Sequence, residues 1–356
     1  MKKNITTTAE LAAHLGISRW AVSRAINGQD GVGEETVRRV KQAMSKLAFS
    51  PSPHARGLRG QRTGVIGLSI RNLNTQVAVA KITRAQRIIS GRGLHPLMAI
   101  AEDEPERGAD AIRRFIAMRV EGVILVDAPP AEERAAWTRM LREAEIPTVM
   151  LEPRQPGRLN TVSLDRVEAM RKVTDHLLDL GHRHFALLGI SKKFPMGVPR
   201  HEGVRRALEA RGLDMGACVD VFDKPEHRFQ GMRYGHELAE LYLAAKPKRR
   251  ATALIALDDM VAAGAMWELH RNGLEVPRDC SLFGFDNLPL TEQTNPALST
   301  VDHNVEKMAE AAVDMLQRLI AGGGGAGAGE GEDEASVPAV RMPATLVVRE
   351  STGAPG

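Results

Sequence analysis

Cysteine is almost absent. Only Cys218 and Cys280 occur in 356 residues, and they lack the close spacing of a metal site. That scarcity excludes a disulfide framework and points to a reducing compartment, the cytoplasm. No apolar run approaches the roughly 20 residues that span a membrane. The opening MKKNITTTAEL has two lysines but no apolar core of an export signal. Enzyme signatures are missing as well: there is no G-x-S-x-G, no H-E-x-x-H and no Walker loop. The pair His182 and His184 stands directly before a strand candidate, which argues against a metal site. The GGGG run at 322 has no strand before it and no Lys-Ser/Thr after it. No enzyme activity, metal, cofactor or membrane contact is expected.

What is present divides unevenly. The length exceeds what one core normally holds, so two or three folding units are expected. Residues 1–62 carry eleven lysines and arginines against four acids, a net of +7. The remaining residues carry 37 basic and 40 acidic side chains, a net of −3. A basic head on a mildly acidic body fits a polyanionic partner.

The head also has structure written into it. Leu11, Ala12 and Leu15 are spaced for one helix, which Thr7 or Thr8 can cap. Gly16 makes a tight turn. Ser18 can cap a second helix, SRWAVSRAIN, ended by Asn27-Gly28. Val37, Val40, Met44 and Leu47 mark a third. Two short helices joined at a glycine, closed by a third, describe a helix-turn-helix. In the second helix Ala21, Val22, Ala25 and Ile26 can face inward, leaving Arg19, Trp20 and Ser23 exposed. Arg19 can fork to guanine, Trp20 can pack on a thymine methyl or a sugar, and Arg24 suits a phosphate.

SPSPHARGLRGQRTG then reads as a linker. Beyond it, short apolar strands alternate with helical stretches of crossover length. GVIGLSI (64–70), HPLMAIA (95–101), GVILVDA (122–128), IPTVML (146–151) and TVSL (161–164) come first. HFALLGI (184–190), CVDVF (218–222), TALIAL (252–257) and CSLFGF (280–285) follow. This predicts parallel sheets covered on both faces, in two units, with ligands bound beyond the carboxyl ends of the strands. Residues 322–336, rich in glycine and acids, predict a mobile surface loop before a last strand at about 340–348.

At this point the chain resembles the lactose-repressor and galactose-repressor (LacI-type) family. The segment TTTAELAAHLGISRWAVSRAINGQDGVGEETVRRVKQAMSKLAFSPSPHARGLR carries the family's V-S-R-x-x-N helix end and its hinge. DEPERGADAIRRFIAMRVEGVILV, HLLDLGHRHFALLG, ALDDMVAAGAMWELHRNGLEVPRDCSLFGFDNLPL, NPALSTV and TLVVREST match further family segments in order. The resemblance covers nearly the whole chain. It implies an α/β fold: an all-α helix-turn-helix head (1–50), a hinge (51–62) and a periplasmic-binding-protein-like core (63–350). That core would be two Rossmann-like parallel-sheet subdomains, an N-lobe at about 63–160 and 290–320 and a C-lobe at about 161–289 and 338–350.

The resemblance further implies a homodimer on operator DNA, with Thr7, Ser18, Arg19, Trp20, Ser23, Arg24 and Asn27 facing it. Leu58 matches the family's minor-groove wedge, beside Ala55 and Arg59. Pro53 and Gly57 depart from the family's hinge pattern, and Phe49 stands where tyrosine is usual, without its phosphate-directed hydroxyl. Arg71, Asp127, Arg200, Asp258 and Asp286 match positions that contact a small effector, whereas Asp259 reads as structural. Carboxylates and guanidinium groups suit a sugar, and paired Arg71 and Arg200 suit a uronate or sugar phosphate. The other reading is a sugar-binding transport protein with the same core, which the basic residues 1–62 argue against.

Overall fold

The computed structural model describes residues 5–47, 49, 62–101, 105–128, 131–154, 160–227, 231–245, 250–322 and 339–356. The expected hinge residues Ala55, Leu58 and Arg59, and the Gly/acidic segment beyond Gly322, lie outside the described residues.

The head is three helices, α1 (Thr8–Leu15), α2 (Arg19–Asn27) and α3 (Glu34–Lys46). Leu11, Ala12, Val22, Ala25, Val40, Ala43 and Phe49 form its core. These are the positions that helical spacing aims at one point. Phe49 is therefore a core residue, and the missing hydroxyl leaves no polar atom to satisfy there.

In the body, β1 (Val65–Ile70), α4 (Gln76–Gly91), β2 (His95–Ile100), α5 (Pro105–Ala117), β3 (Gly122–Val126), α6 (Ala131–Glu143), β4 (Thr148–Leu151) and β5 (Asn160–Leu164) come first. Then follow α7 (Arg166–Asp179), β6 (Phe185–Leu188), α8 (Gly197–Ala210), α9 (Met215–Cys218), β7 (Val219–Phe222), α10 (Met232–Ala244) and β8 (Ala253–Ala256). The chain closes with α11 (Asp259–Arg271), β9 (Ser281–Phe283), β10 (Thr300–Asp302), α12 (Val305–Gly322), β11 (Ala339–Met342) and β12 (Thr345–Val347).

One parallel sheet runs β11-β5-β4-β3-β1-β2 and a second runs β7-β6-β8-β9; β10 and β12 form an antiparallel pair. Strand β3 shows why these strands read as unbroken apolar runs. Val123 and Leu125 pack with Phe115 and Trp137 on one face, while Ile124 and Val126 pack with Ile82 and Met308 on the other.

The division between lobes differs from the expected one. Strand β5 completes the first sheet, so the chain first crosses at 164–166 and not at 160. Residues 289–302 stay with the second lobe, through a bridge from Ser299 to Phe283 and through β10 on β12. The expected last strand is two. Pro343 has no N–H to continue a ladder, so β11 joins the first sheet and β12 the second lobe. The three crossings are thus 164–166, 302–305 and 342–345.

Candidate nucleic-acid interface and ligand cleft

Each head helix is capped where the sequence allows. Thr7 Oγ1 accepts from the Glu10 N–H at 3.1 Å, and Glu10 returns a bond to the Thr7 N–H at 3.0 Å. Ser18 Oγ accepts from the Ala21 N–H at 3.1 Å. Gly16 and Gly28 take left-handed conformations that close α1 and α2. Of the expected DNA-facing residues, Thr7 and Ser18 thus serve as caps. Arg19 and Trp20 are exposed, Trp20 by 57%, and Ser23 is half-buried. Asn27 ends α2.

Arg24, expected to suit a phosphate, also makes contacts within the head. Its Nε donates to the Asp30 carbonyl at 2.5 Å, and its guanidinium lies 5.0 Å from the Trp20 ring centre. Gly31, at φ +97°, passes beneath both: an added Cβ would come within 3.4 Å of Trp20 and 3.5 Å of Arg24. Arg24 therefore braces the loop and the tryptophan together.

The second set of candidates gathers at the carboxyl ends of the strands. Arg71 follows β1 and Asp127 follows β3. Asp258 caps α11 after β8, its Oδ1 accepting from the Val261 N–H at 2.8 Å. Arg200, in α8, donates to the Leu257 carbonyl at 2.6 Å and stacks 4.2 Å from the ring centre of Phe285. Asp286, at φ +114°, stands 3.0 Å from His303 Nε2. Burial, then the charge of Asp286, push the Asp258 carboxyl up to about 6. The same two causes push Asp259 up to about 8. Asp259 is fully buried and ties Thr300 Oγ1 at 2.6 Å and the Leu288 N–H at 2.7 Å. A cavity of about 480 Å³ opens beside Asp286, lined also by Gln76, Val77, Asn287 and Asp302. That volume suits a small molecule, but of the five candidates Asp286 alone lines it; Arg71, Asp127, Arg200 and Asp258 do not.

The structure places three further charged residues among these. Glu152, just after β4, is buried with Arg166 and Lys81. Burial pushes the Glu152 carboxyl upward, but Arg166 and Lys81 outweigh it and hold it well below the usual carboxylate range. Arg166 feels Asp127 and Asp286 as well, so it links candidates from both lobes. One signal for this cluster was present in the sequence. Lys81 falls in step with Ala78, Ile82, Ala85 and Ile89, at the core spacing of α4.

A two-lobed α/β binding core behind a helix-turn-helix head is the class that this fold and these sites define. Comparison with known proteins agrees. Residues 7–52 match the model for bacterial regulatory proteins of the lacI family, and residues 174–352 match a periplasmic binding protein-like domain. The HTH-type transcriptional regulator reg1 of Streptomyces lividans is 30% identical over 89% of this chain and 91% of its own. The HTH-type transcriptional regulator GntR of Pseudomonas aeruginosa is 28% identical over 98% of each chain. In fold, the chain is similar to the lac repressor dimer bound to operator and an anti-inducer, with a TM-score of 0.78 at 22% identity, covering 99% of this chain and 100% of that one. The chain belongs to the lacI family of bacterial regulatory proteins.

Proposed function

We propose that this protein is a transcriptional repressor whose hold on operator DNA is set by a small carbohydrate-like effector. The observation that carries this reading is the pairing of two features in one chain. A capped, basic helix presents Arg19 and Trp20 outward, and a cleft gathers carboxylates and guanidinium groups at the strand ends.

In this reading residues 1–50 form the DNA-binding head and 51–62 the hinge, where Leu58 enters the minor groove beside Ala55 and Arg59. Arg19 and Trp20 read base edges. Ser23, Asn27 and the cap residues Thr7 and Ser18 position the helix, and Arg24 holds Trp20 in its pose while its remaining donors meet a phosphate. Arg71, Asp127, Arg200, Asp258 and Asp286 bind the effector, a sugar, uronate or sugar phosphate. The protein works in the cytoplasm as a homodimer, with contacts along α4 and its neighbours. Effector changes how the two N-lobes meet, which uncouples the hinges. Operator and effector then alter each other's affinity by one common factor.

The test is a titration of the purified protein against the intergenic DNA upstream of its own gene, with sugars, uronates and sugar phosphates added in turn. Tight, salt-sensitive binding relieved by one compound is the expected result. Absence of binding to every fragment at low salt would overturn it.

A further inference from the structure

The Glu152 carboxylate joins four separate pieces of chain. Oε1 accepts from the Leu164 N–H at 2.5 Å and from Arg166 Nη1 at 3.1 Å. Oε2 takes Arg166 Nη2 and, at 3.3 Å, Lys81 Nζ. Glu152 directly follows β4, Leu164 ends β5, Arg166 begins α7 in the second lobe, and Lys81 lies in the middle of α4. The carboxylate therefore sits on the first lobe crossing. His303, on the second crossing, is close enough to affect it. Asn304, beside His303, donates to the Pro343 carbonyl at 3.1 Å, on the third crossing.

The cluster holds two cations against one anion, all buried. Arg166 keeps one more donor, Nε, which is buried without a hydrogen-bond partner among the described residues. That donor is available to a ligand or a water entering the cleft. After Glu152, the charges that act on Arg166 are those of Asp127, from one lobe, and Asp286, from the other. Whatever engages those two carboxylates changes the balance at Arg166, and through Glu152 the seating of Lys81.

From Lys81 the path to the head is physical. Helix α4 packs along α12 and is bolted to it by Arg84–Glu306 at 3.0 Å and Arg92–Asp314 at 2.6 Å. At the far end of α12 the Ile320 carbonyl accepts from Arg62 at 3.3 Å. Arg62 is where the head's connection enters the body.

We infer that Lys81, Glu152 and Arg166 are positioning residues that couple the ligand cleft to α4 and so to the head's affinity for DNA. The inference rests on the function proposed above. It differs from a purely structural role, because a structural staple has no reason to change DNA binding at a distant head.

The test needs no effector. Full-length wild type, Lys81→Met and Lys81→Arg are titrated against the intergenic DNA upstream of the gene, with unfolding midpoints measured alongside. Lys81→Met keeps the apolar stem and leaves the Glu152–Arg166 pair intact. The expected result is a folded Lys81→Met whose DNA affinity differs from wild type by tenfold or more, with Lys81→Arg restored to within threefold. Lys81→Met binding within twofold of wild type would overturn the inference. So would a Lys81→Arg as altered as Lys81→Met, or a Lys81→Met that no longer folds, either of which makes the cluster a staple. A wild type that binds no fragment refutes the proposed function instead.

Discussion

Replacing Trp20 with alanine separates what this side chain does for the head from what it does for DNA. A tryptophan offers roughly 250 Å² to burial. With 57% exposed in the free head, about 140 Å² remains to be covered by a partner and about 110 Å² is already packed. At about 25 cal/mol per Å², covering the exposed share contributes at most about 3.5 kcal/mol, a factor of about 300 in Kd. The packed share sets an upper loss of about 2.7 kcal/mol from head stability. The stack with Arg24 adds about 0.5–1 kcal/mol. The assay is fluorescence anisotropy on the upstream DNA at several salt concentrations, well below the unfolding midpoint. Affinity should fall between about 10-fold and 300-fold, and the slope of log K against log salt should not change, because no phosphate contact is lost. A folded Trp20→Ala that binds DNA within twofold of wild type refutes the reasoning, and so does a shallower salt slope.

The cleft makes its own predictions. Asp258 titrates at about 6, so hydroxyl donors meet a protonated carboxyl below that pH and a carboxylate above it. Calorimetry from pH 5 to 7 should show effector affinity rising through about 6, and the step should vanish in Asp258→Asn. For folding the sign is opposite. A carboxyl raised above its ordinary value contributes stability that is present below about pH 4 and lost as pH rises through about 6 for Asp258 and about 8 for Asp259. Arg200→Ala removes the bond to Leu257 and the stack on Phe285. It should weaken effector binding by about 10-fold to 100-fold, with effector-free DNA affinity within threefold of wild type. In the head, Gly31→Ala forces a side chain into φ +97° beside Trp20 and Arg24. Denaturant unfolding followed by fluorescence, in a background where Trp137 and Trp267 are replaced by phenylalanine so that Trp20 alone reports, should show a loss of about 1–3 kcal/mol.

The parts legible in the sequence were those whose information is local. The head could be read because caps, glycine turns and helical spacing all act within four residues, and the same holds for the short apolar strands. What escaped depends on partners far along the chain. Strand β10 is only three residues, and its ladder partner β12 comes some forty residues later, so nothing near Thr300 announces it. The proline at 343 was visible, and its meaning was general: a ladder stops there. Which lobe each half joins is decided by pairing, not by propensity.

The buried charges follow the same logic, and they also say why the junction is polar at all. Lys81 alone could be read as a misfit, a cation at core spacing in α4. Glu152 lies 71 residues away and Arg166 another 14, so no local rule pairs them. An apolar junction of equal volume would hold the lobes together at least as well, since desolvating three charges offsets most of what their attraction returns. Apolar packing has no preferred partner, however, and does not respond to a carboxylate being engaged nearby. A charge cluster, one of whose donors has no partner among the described residues, is the kind of junction that can respond. The polar junction therefore makes sense where the lobes must shift relative to one another, and costs stability for nothing where they do not. Replacing Lys81, Glu152 and Arg166 together by apolar residues should accordingly leave the unfolding midpoint unchanged or raised, while DNA affinity stops responding to the effector.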